Sequence, residues 1–171
     1  DQNRAVNQLA RKAETDVAAV KNVTIWGNHS ATQVPYYYNA TINGKPAAAV
    51  IDDCEWLQGD FCNIVAKRGA AIIKARGKSS AASAANAAVD AVRALVTPTA
   101  AGETFSSAVV SDGNPYGIPE GLIYSFPCRS AGDGTYEIVG GCETDDFLKG
   151  KLAATTAELV EEREVIQDLL G

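Results

Sequence analysis

The apolar residues of this chain recur at two periods, and the order in which the periods change limits the fold more than any one residue does. Near Asp1 to Ala13 the spacing is helical: Ala5, Val6, Leu9, Ala10 and Ala13 share a face, with Arg4, Asn7, Gln8 and Arg11 between them. Thr15-Asp16 then predicts the cap of a short turn carrying Val17 and Val20. Val23 to Trp26 is β-branched and aromatic, which predicts a strand, and it runs into the turn-forming group Gly27-Asn28-His29-Ser30. A second strand is predicted over Tyr36 to Ile42, closed by Asn43-Gly44. One helix is expected from Trp56 to Arg76, its inner face formed by Leu57, Phe61, Ile64, Val65, Ala71, Ile72 and Ala75, and an alanine-rich one from Ser80 to Leu95. Strands follow at Phe105 to Val110 and Leu122 to Phe126, separated by the turn-rich stretch Ser111 to Gly117. Gly132-Asp133-Gly134 predicts a hairpin into Tyr136 to Val139. A long final helix is expected from Asp145 to Leu170, with Leu148, Leu152, Leu159, Val165, Ile166 and Leu169 inward and Glu158, Glu161, Glu162 and Glu164 mostly outward.

That order is helix, strands, two helices, three strands, helix. Strands and helices do not alternate regularly, so the expected class is α+β, with mostly antiparallel strands packed against long helices, in one domain over residues 1–171. No G-x-G-x-x-G follows a strand, so no Rossmann unit is expected in this chain.

Net charge is −6, and the cationic stretch from Lys67-Arg68 to Lys78 is interrupted by Gly69-Ala70-Ala71-Ile72-Ile73, so it reads as the solvated face of a helix. No nucleic-acid partner is expected. Apolar runs fall short of a bilayer span, and no basic start precedes an apolar stretch, so neither membrane nor signal peptide is expected. The four cysteines, Cys54, Cys62, Cys128 and Cys142, lack C-x-x-C spacing, which predicts reduced thiols in a cytosolic protein and no metal site; spatial pairing stays open. The sequons at Asn22, Asn28 and Asn39 are then expected to stay unglycosylated. A chain with no methionine that begins at Asp1 is expected to be a fragment or processed product of a longer protein.

His29 is the single histidine. Histidine exchanges protons near neutral pH, but a lone histidine is more often a satisfied or surface residue. Its place in a polar turn at a strand end favours chemistry, as do Asp1 and Arg4, one helical turn apart and able to point the same way. Trp26 is expected to shield the area from water. Taken by themselves, Asp1 and Arg4 read first as an exposed helix start, and Ser79, Ser80 and Ser83 equally as a capping cluster. Asp52-Asp53 and Asp145-Asp146 read as caps, and Trp26 and Tyr36 to Tyr38 as packing.

Several separated motifs then share one resemblance. Asp1-Gln2-Asn3-Arg4-Ala5, Trp26-Gly27-Asn28-His29-Ser30, Arg68-Gly69-Ala70-Ala71-Ile72-Ile73, Ser79 to Ala84, Ser111 to Gly117 and Tyr124-Ser125-Phe126-Pro127 resemble malate dehydrogenases of the cytosolic type, in the lactate/malate dehydrogenase superfamily. The resemblance covers the whole chain and corresponds to the C-terminal half of such an enzyme, without the nucleotide-binding half. It departs at Ala82, where methionine is common, and in a short segment between Asn39 and Trp56. It implies the lactate/malate dehydrogenase C-terminal fold and a reaction interconverting malate and oxaloacetate with NAD, bound mainly by the missing half, in a cytoplasmic homodimer of the tricarboxylic acid cycle. It implies that His29 is the proton donor and acceptor, Asp1 its partner carboxylate, Arg4 the clamp on the substrate carboxylate and Ser80 a residue beside the nicotinamide. The rival readings are a related 2-hydroxy-acid dehydrogenase, such as one for lactate, and a non-catalytic module that kept the fold. The fragment alone is expected to be inactive.

The chemistry suits these roles. Reducing a keto acid requires a proton on the carbonyl oxygen, which an imidazolium can polarise and then protonate. A carboxylate on the other ring nitrogen fixes the tautomer and stabilises the imidazolium. A guanidinium forks onto a carboxylate with two hydrogen bonds, which lysine cannot do.

Overall fold

A computed structural model describes residues 1–170. The chain opens with α1 (Gln2–Lys12), whose Ala5, Leu9 and Ala10 are buried as the 3.6 spacing demands. A 3-10 turn over Val17–Ala19 follows, and Asp16 caps it by accepting the Ala18 N–H. The first strands are β1 (Val20–Lys21), β2 (Thr24–Trp26), β3 (Val34–Tyr36), β4 (Thr41–Ile42) and β5 (Lys45–Pro46). The expected strand over Tyr36 to Ile42 is thus two short ones. A turn closed by Ala40 N–H donating to the Tyr37 carbonyl separates them, because Tyr36 and Tyr37 go to different cores. Asn43-Gly44 turns β4 into β5 as expected.

A short helix not foreseen from the sequence, α2 (Ala47–Ile51), precedes α3 (Cys54–Gln58) and α4 (Asp60–Arg76). The single helix expected from Trp56 to Arg76 breaks at Gly59, whose backbone takes φ −107° and ψ −92°. Next is α5 (Ala82–Val96), then β6 (Phe105–Val110), β7 (Ile123–Arg129) and β8 (Glu137–Ile138). Strand β7 continues past Phe126 because Pro127 contributes its carbonyl, which accepts from Val139 N–H. The chain ends in α6 (Asp146–Val165), capped by Asp145, and α7 (Gln167–Leu170). Ile166 separates them, so the expected single helix is two.

All strand pairs are antiparallel, in sheets ordered β1-β4-β5, β2-β3 and β6-β7-β8, which is the α+β arrangement expected. Two apolar cores result. One joins α1 to the start of α4, through Leu9, Val23, Ile42, Leu57, Phe61 and Val65. The other joins β2, β3 and β7 to α6, through Trp26, Tyr36, Tyr124, Phe126, Leu148 and Leu152. Strand β2 contributes to both, Ile25 to the first and Trp26 to the second. Alternate residues of a strand point to opposite faces, so a three-residue strand can stitch two cores together.

Three expectations about burial change. Ile64, Ala71 and Ala75 are exposed, because α4 meets the first core only through Phe61 and Val65 and runs past it afterwards. Val165, Ile166 and Leu169 are exposed as well, because α6 leaves the second core after Leu159. Glu158, expected to face outward, is half-buried against the turn that carries His29. Among the described residues, no helix is long and apolar enough to cross a membrane.

Candidate active site

The site forms where α1 begins and β2 ends. Asp1 takes the N-cap position of α1, where a carboxylate ordinarily accepts from the first backbone N–H groups, yet it makes no such bond. One carboxylate oxygen, Oδ1, instead accepts from Arg4 Nη1 at 2.6 Å, and the other, Oδ2, lies 2.6 Å from His29 Nδ1. The carboxylate is 7% exposed, Arg4 28% and His29 82%. The bond to Nδ1 leaves Nε2 as the free ring nitrogen.

Both segments are fixed to the same sheet. Gln2 reaches from α1 to β2 and β6: its Nε2 donates to the Val23 carbonyl at 3.2 Å, and its Oε1 accepts from Ser106 N–H at 3.0 Å. At the end of β2, Gly27 exchanges two backbone hydrogen bonds with Ser125 of β7. Gly27 has φ +83°, open to glycine, and a Cβ there would collide with the Thr155 side chain. The chain therefore turns sharply out of the buried strand and presents His29 at the surface beside Asp1.

A cleft of about 430 Å³ opens there, lined in part by Asp1, Asn28, His29, Asp90, Ser106 and Ser125. Arg4 lines an adjoining cleft of about 330 Å³ with Arg11, Arg68 and Ser83, and Asn3 lines both. Asp1 is thus the link between Arg4 and His29. Ser80 is not brought to this trio by any hydrogen bond: its hydroxyl contacts Ser83 at the start of α5, and it lines neither cleft. The alternative reading of the serines as caps is not realised either, since Ala81 is the N-cap of α5, at φ +42°, with no side-chain cap bond. Trp26 does not shield the cleft as expected. It is wholly buried in the second core, with its ring edge-on to Tyr116 at 4.8 Å.

Sequence reasoning missed Gln2, Thr155 and Glu158. Gln2 lay inside the motif already singled out. The α6 pair had no sequence signal, because 127 residues separate Asn28 from Thr155. Asp53 and Asp145 are caps as expected, accepting from Trp56 N–H and Leu148 N–H. The four cysteines are free, and burial pushes the Cys62 thiol up to about 11 and the Cys128 thiol up to about 12. Among the described residues no strand leads through a glycine turn into a helix in the manner of a Rossmann unit.

Residues 1–169 match the family described as lactate/malate dehydrogenase, alpha/beta C-terminal domain. The chain belongs to this family, as its C-terminal domain. More particularly, it is similar to proteins named for malate: it is 55% identical to malate dehydrogenase of Protochlamydia amoebophila over 99% of its own length and 52% of the relative's. It is 52% identical to the chloroplastic NADP malate dehydrogenase of Pisum sativum over its whole length and 39% of that protein's. Lactate dehydrogenase of Trichomonas vaginalis, solved with NADH and oxamate, superposes with a TM-score of 0.90 at 35% identity, covering 99% of this chain and 52% of that one. The chain spans about half the length, or less, of the curated relatives it matches.

Proposed function

We propose that this chain is the substrate-binding and catalytic half of an NAD-dependent malate dehydrogenase that interconverts malate and oxaloacetate. The observation that carries the reading is the Asp1 carboxylate shared between His29 Nδ1 and Arg4 Nη1, each at 2.6 Å. His29 Nε2 donates a proton to the keto oxygen and takes it back from the hydroxyl in the reverse direction. Asp1 keeps the ring in the tautomer with hydrogen on Nδ1 and stabilises the imidazolium. Arg4, steadied by the same carboxylate, forks onto the substrate carboxylate and sets the angle of the reacting carbon. NAD, held mainly by the part of a longer protein outside this chain, would supply or take up the hydride, and Ser80 would be this chain's contact to the nicotinamide. The longer protein is a cytoplasmic homodimer serving the tricarboxylic acid cycle.

A second reading, lactate as substrate, is favoured by the 35% identity to the Trichomonas vaginalis lactate dehydrogenase; the 55% identity to a malate dehydrogenase supports malate over it. The pea relative similarly makes NADP the rival cofactor. The 2.6 Å contact between Asp1 and His29 argues against a non-catalytic module.

The test is an assay of the longer protein with oxaloacetate or pyruvate and NADH or NADPH. Turnover of oxaloacetate with NADH is expected to exceed the other three combinations; preference for pyruvate or NADPH overturns the corresponding assignment. This chain alone is expected to stay at background with oxaloacetate and NADH, and turnover by it would sink the division of labour.

A further inference from the structure

The His29 side chain is 82% exposed, so packing does not select its orientation. What aims it at Asp1 is the backbone of its turn, and the residues on either side are tied to the same face of α6. Asn28 N–H donates to Thr155 Oγ1 at 2.9 Å. Glu158 Oε2 accepts from Asn28 Nδ2 at 3.0 Å, Ser30 Oγ at 2.5 Å and Thr32 Oγ1 at 2.5 Å. The Thr32 and Thr155 hydroxyls lie 2.9 Å apart, and Glu162 Oε1 also accepts from Asn28 Nδ2, at 2.9 Å. Thr155 is fully buried and packs where a Cβ of Gly27 would otherwise stand. The hydroxyls and amide on Glu158 hold its carboxyl below the usual carboxylate range, so it accepts all three bonds as an anion at neutral pH.

We propose that Thr155 and Glu158 are positioning residues: they latch residues 27–32 to α6 and thereby set the imidazole of His29 against Asp1. The proposal rests on the proton-transfer role given to His29 above. An alternative role for the same bonds is simply to fasten the end of α6. The two differ in what the imidazole reports. Around His29 the charged groups are Asp1 and Arg4 on α1, Asp90 on α5 across the cleft, and Glu158 and Glu162 on α6 through Asn28. Thr155→Val alters none of these charges, so its effect on His29 comes through geometry.

Because the chain has a single histidine, nitrogen-15 NMR reads this imidazole without overlap. In the wild-type chain the Nδ1–H tautomer and its hydrogen-bonded proton signal are expected to dominate. Thr155→Val and Glu158→Gln are expected to shift the ring toward the Nε2–H form of free imidazole and to broaden that signal. Thr155→Ser is expected to restore it, and Glu161→Gln, on the exposed side of α6, to leave it unchanged. In the longer protein, kcat should fall about tenfold in both latch variants with KM within about twofold, the split expected when alignment rather than binding is lost. An unchanged tautomer in Thr155→Val, whatever the loss in melting temperature, overturns the proposal. If Thr155→Val does not fold, Glu158→Gln carries the same reading. A wild-type enzyme that turns over no 2-hydroxy acid defeats the catalytic reading and leaves the NMR result to judge the latch; an altered kcat beside an unchanged tautomer defeats the latch alone.

Discussion

The turn that carries His29 and the alanine-rich helix α5 lie near one cleft and are built in opposite ways. The turn emerges from β2, where all three residues are buried, and is tied on one side to β7 and on the other to α6. Helix α5 contributes Ala87, Asp90, Ala91 and Ala94 to the cleft, yet no described residue of it is buried, and Val89, Val92 and Val96 are exposed. Both segments have ordinary sequences for their kind. The difference is that the turn emerges from a buried strand and is held from several directions at once, whereas α5 buries no described side chain and, among the described residues, is hydrogen-bonded to the rest only through Asp90, which accepts from Asn3, and the Leu95 carbonyl, which accepts from Ser130 Oγ and Gly134 N–H. A proton-transfer group needs the former, because alignment is lost with shifts of about 1 Å.

Substitutions can break or sharpen that contrast. In the longer protein, His29→Asn is expected to lower kcat by about 10²- to 10⁴-fold, the range general acid–base groups supply, measured on oxaloacetate reduction. In the chain itself, Phe126→Ala is expected to cost about 3–5 kcal/mol in urea unfolding, since Phe126 is fully buried in the second core beside Trp26 and Tyr124. Gly27→Ala should cost about 2–4 kcal/mol, from the collision with Thr155 added to a left-handed backbone. A milder loss would mean that α6 can yield, and that the latch is softer than its hydrogen bonds suggest.

A smaller effect is expected from acid. The Glu158 carboxyl is held below its ordinary value in the folded chain, so its contribution to stability is present above the unfolded value and is lost as pH falls through the folded one. The melting-temperature gap between wild type and Glu158→Gln should therefore be full at pH 7 and close on acidification below the ordinary glutamate range near pH ~4. The smallest effect belongs to α5: Val92→Ala, at a side chain 61% exposed, should stay within about 0.5 kcal/mol in the same urea experiment.

Local pattern carried much of the fold. Helix α1, strand β6, the Asn43-Gly44 hairpin and the caps at Asp53 and Asp145 follow from spacing and turn chemistry, which act within a few residues. The breaks at Tyr37 to Ala40, Gly59 and Ile166 were hidden, because apolar residues on both sides keep a plausible period across each. The outward assignment of Glu158 failed for a related reason. Helical spacing says which residues share a face, but not what that face will meet.

The candidate site divides along the same line. Residue identity alone makes the groups available: one histidine, an acid and an arginine one helical turn apart, and a glycine where the chain must turn. Those choices are chemical, and residue identity settles them. Packing settled that Asp1 forgoes its capping role to bridge Arg4 and His29, that Arg4 and His29 line adjoining clefts, that the Ser80 hydroxyl goes to Ser83, and that α6 grips the turn from 127 residues away. Hydrogen bonds act over about 3 Å, and no periodicity along a chain encodes which distant segments the packing of two cores will bring within that reach.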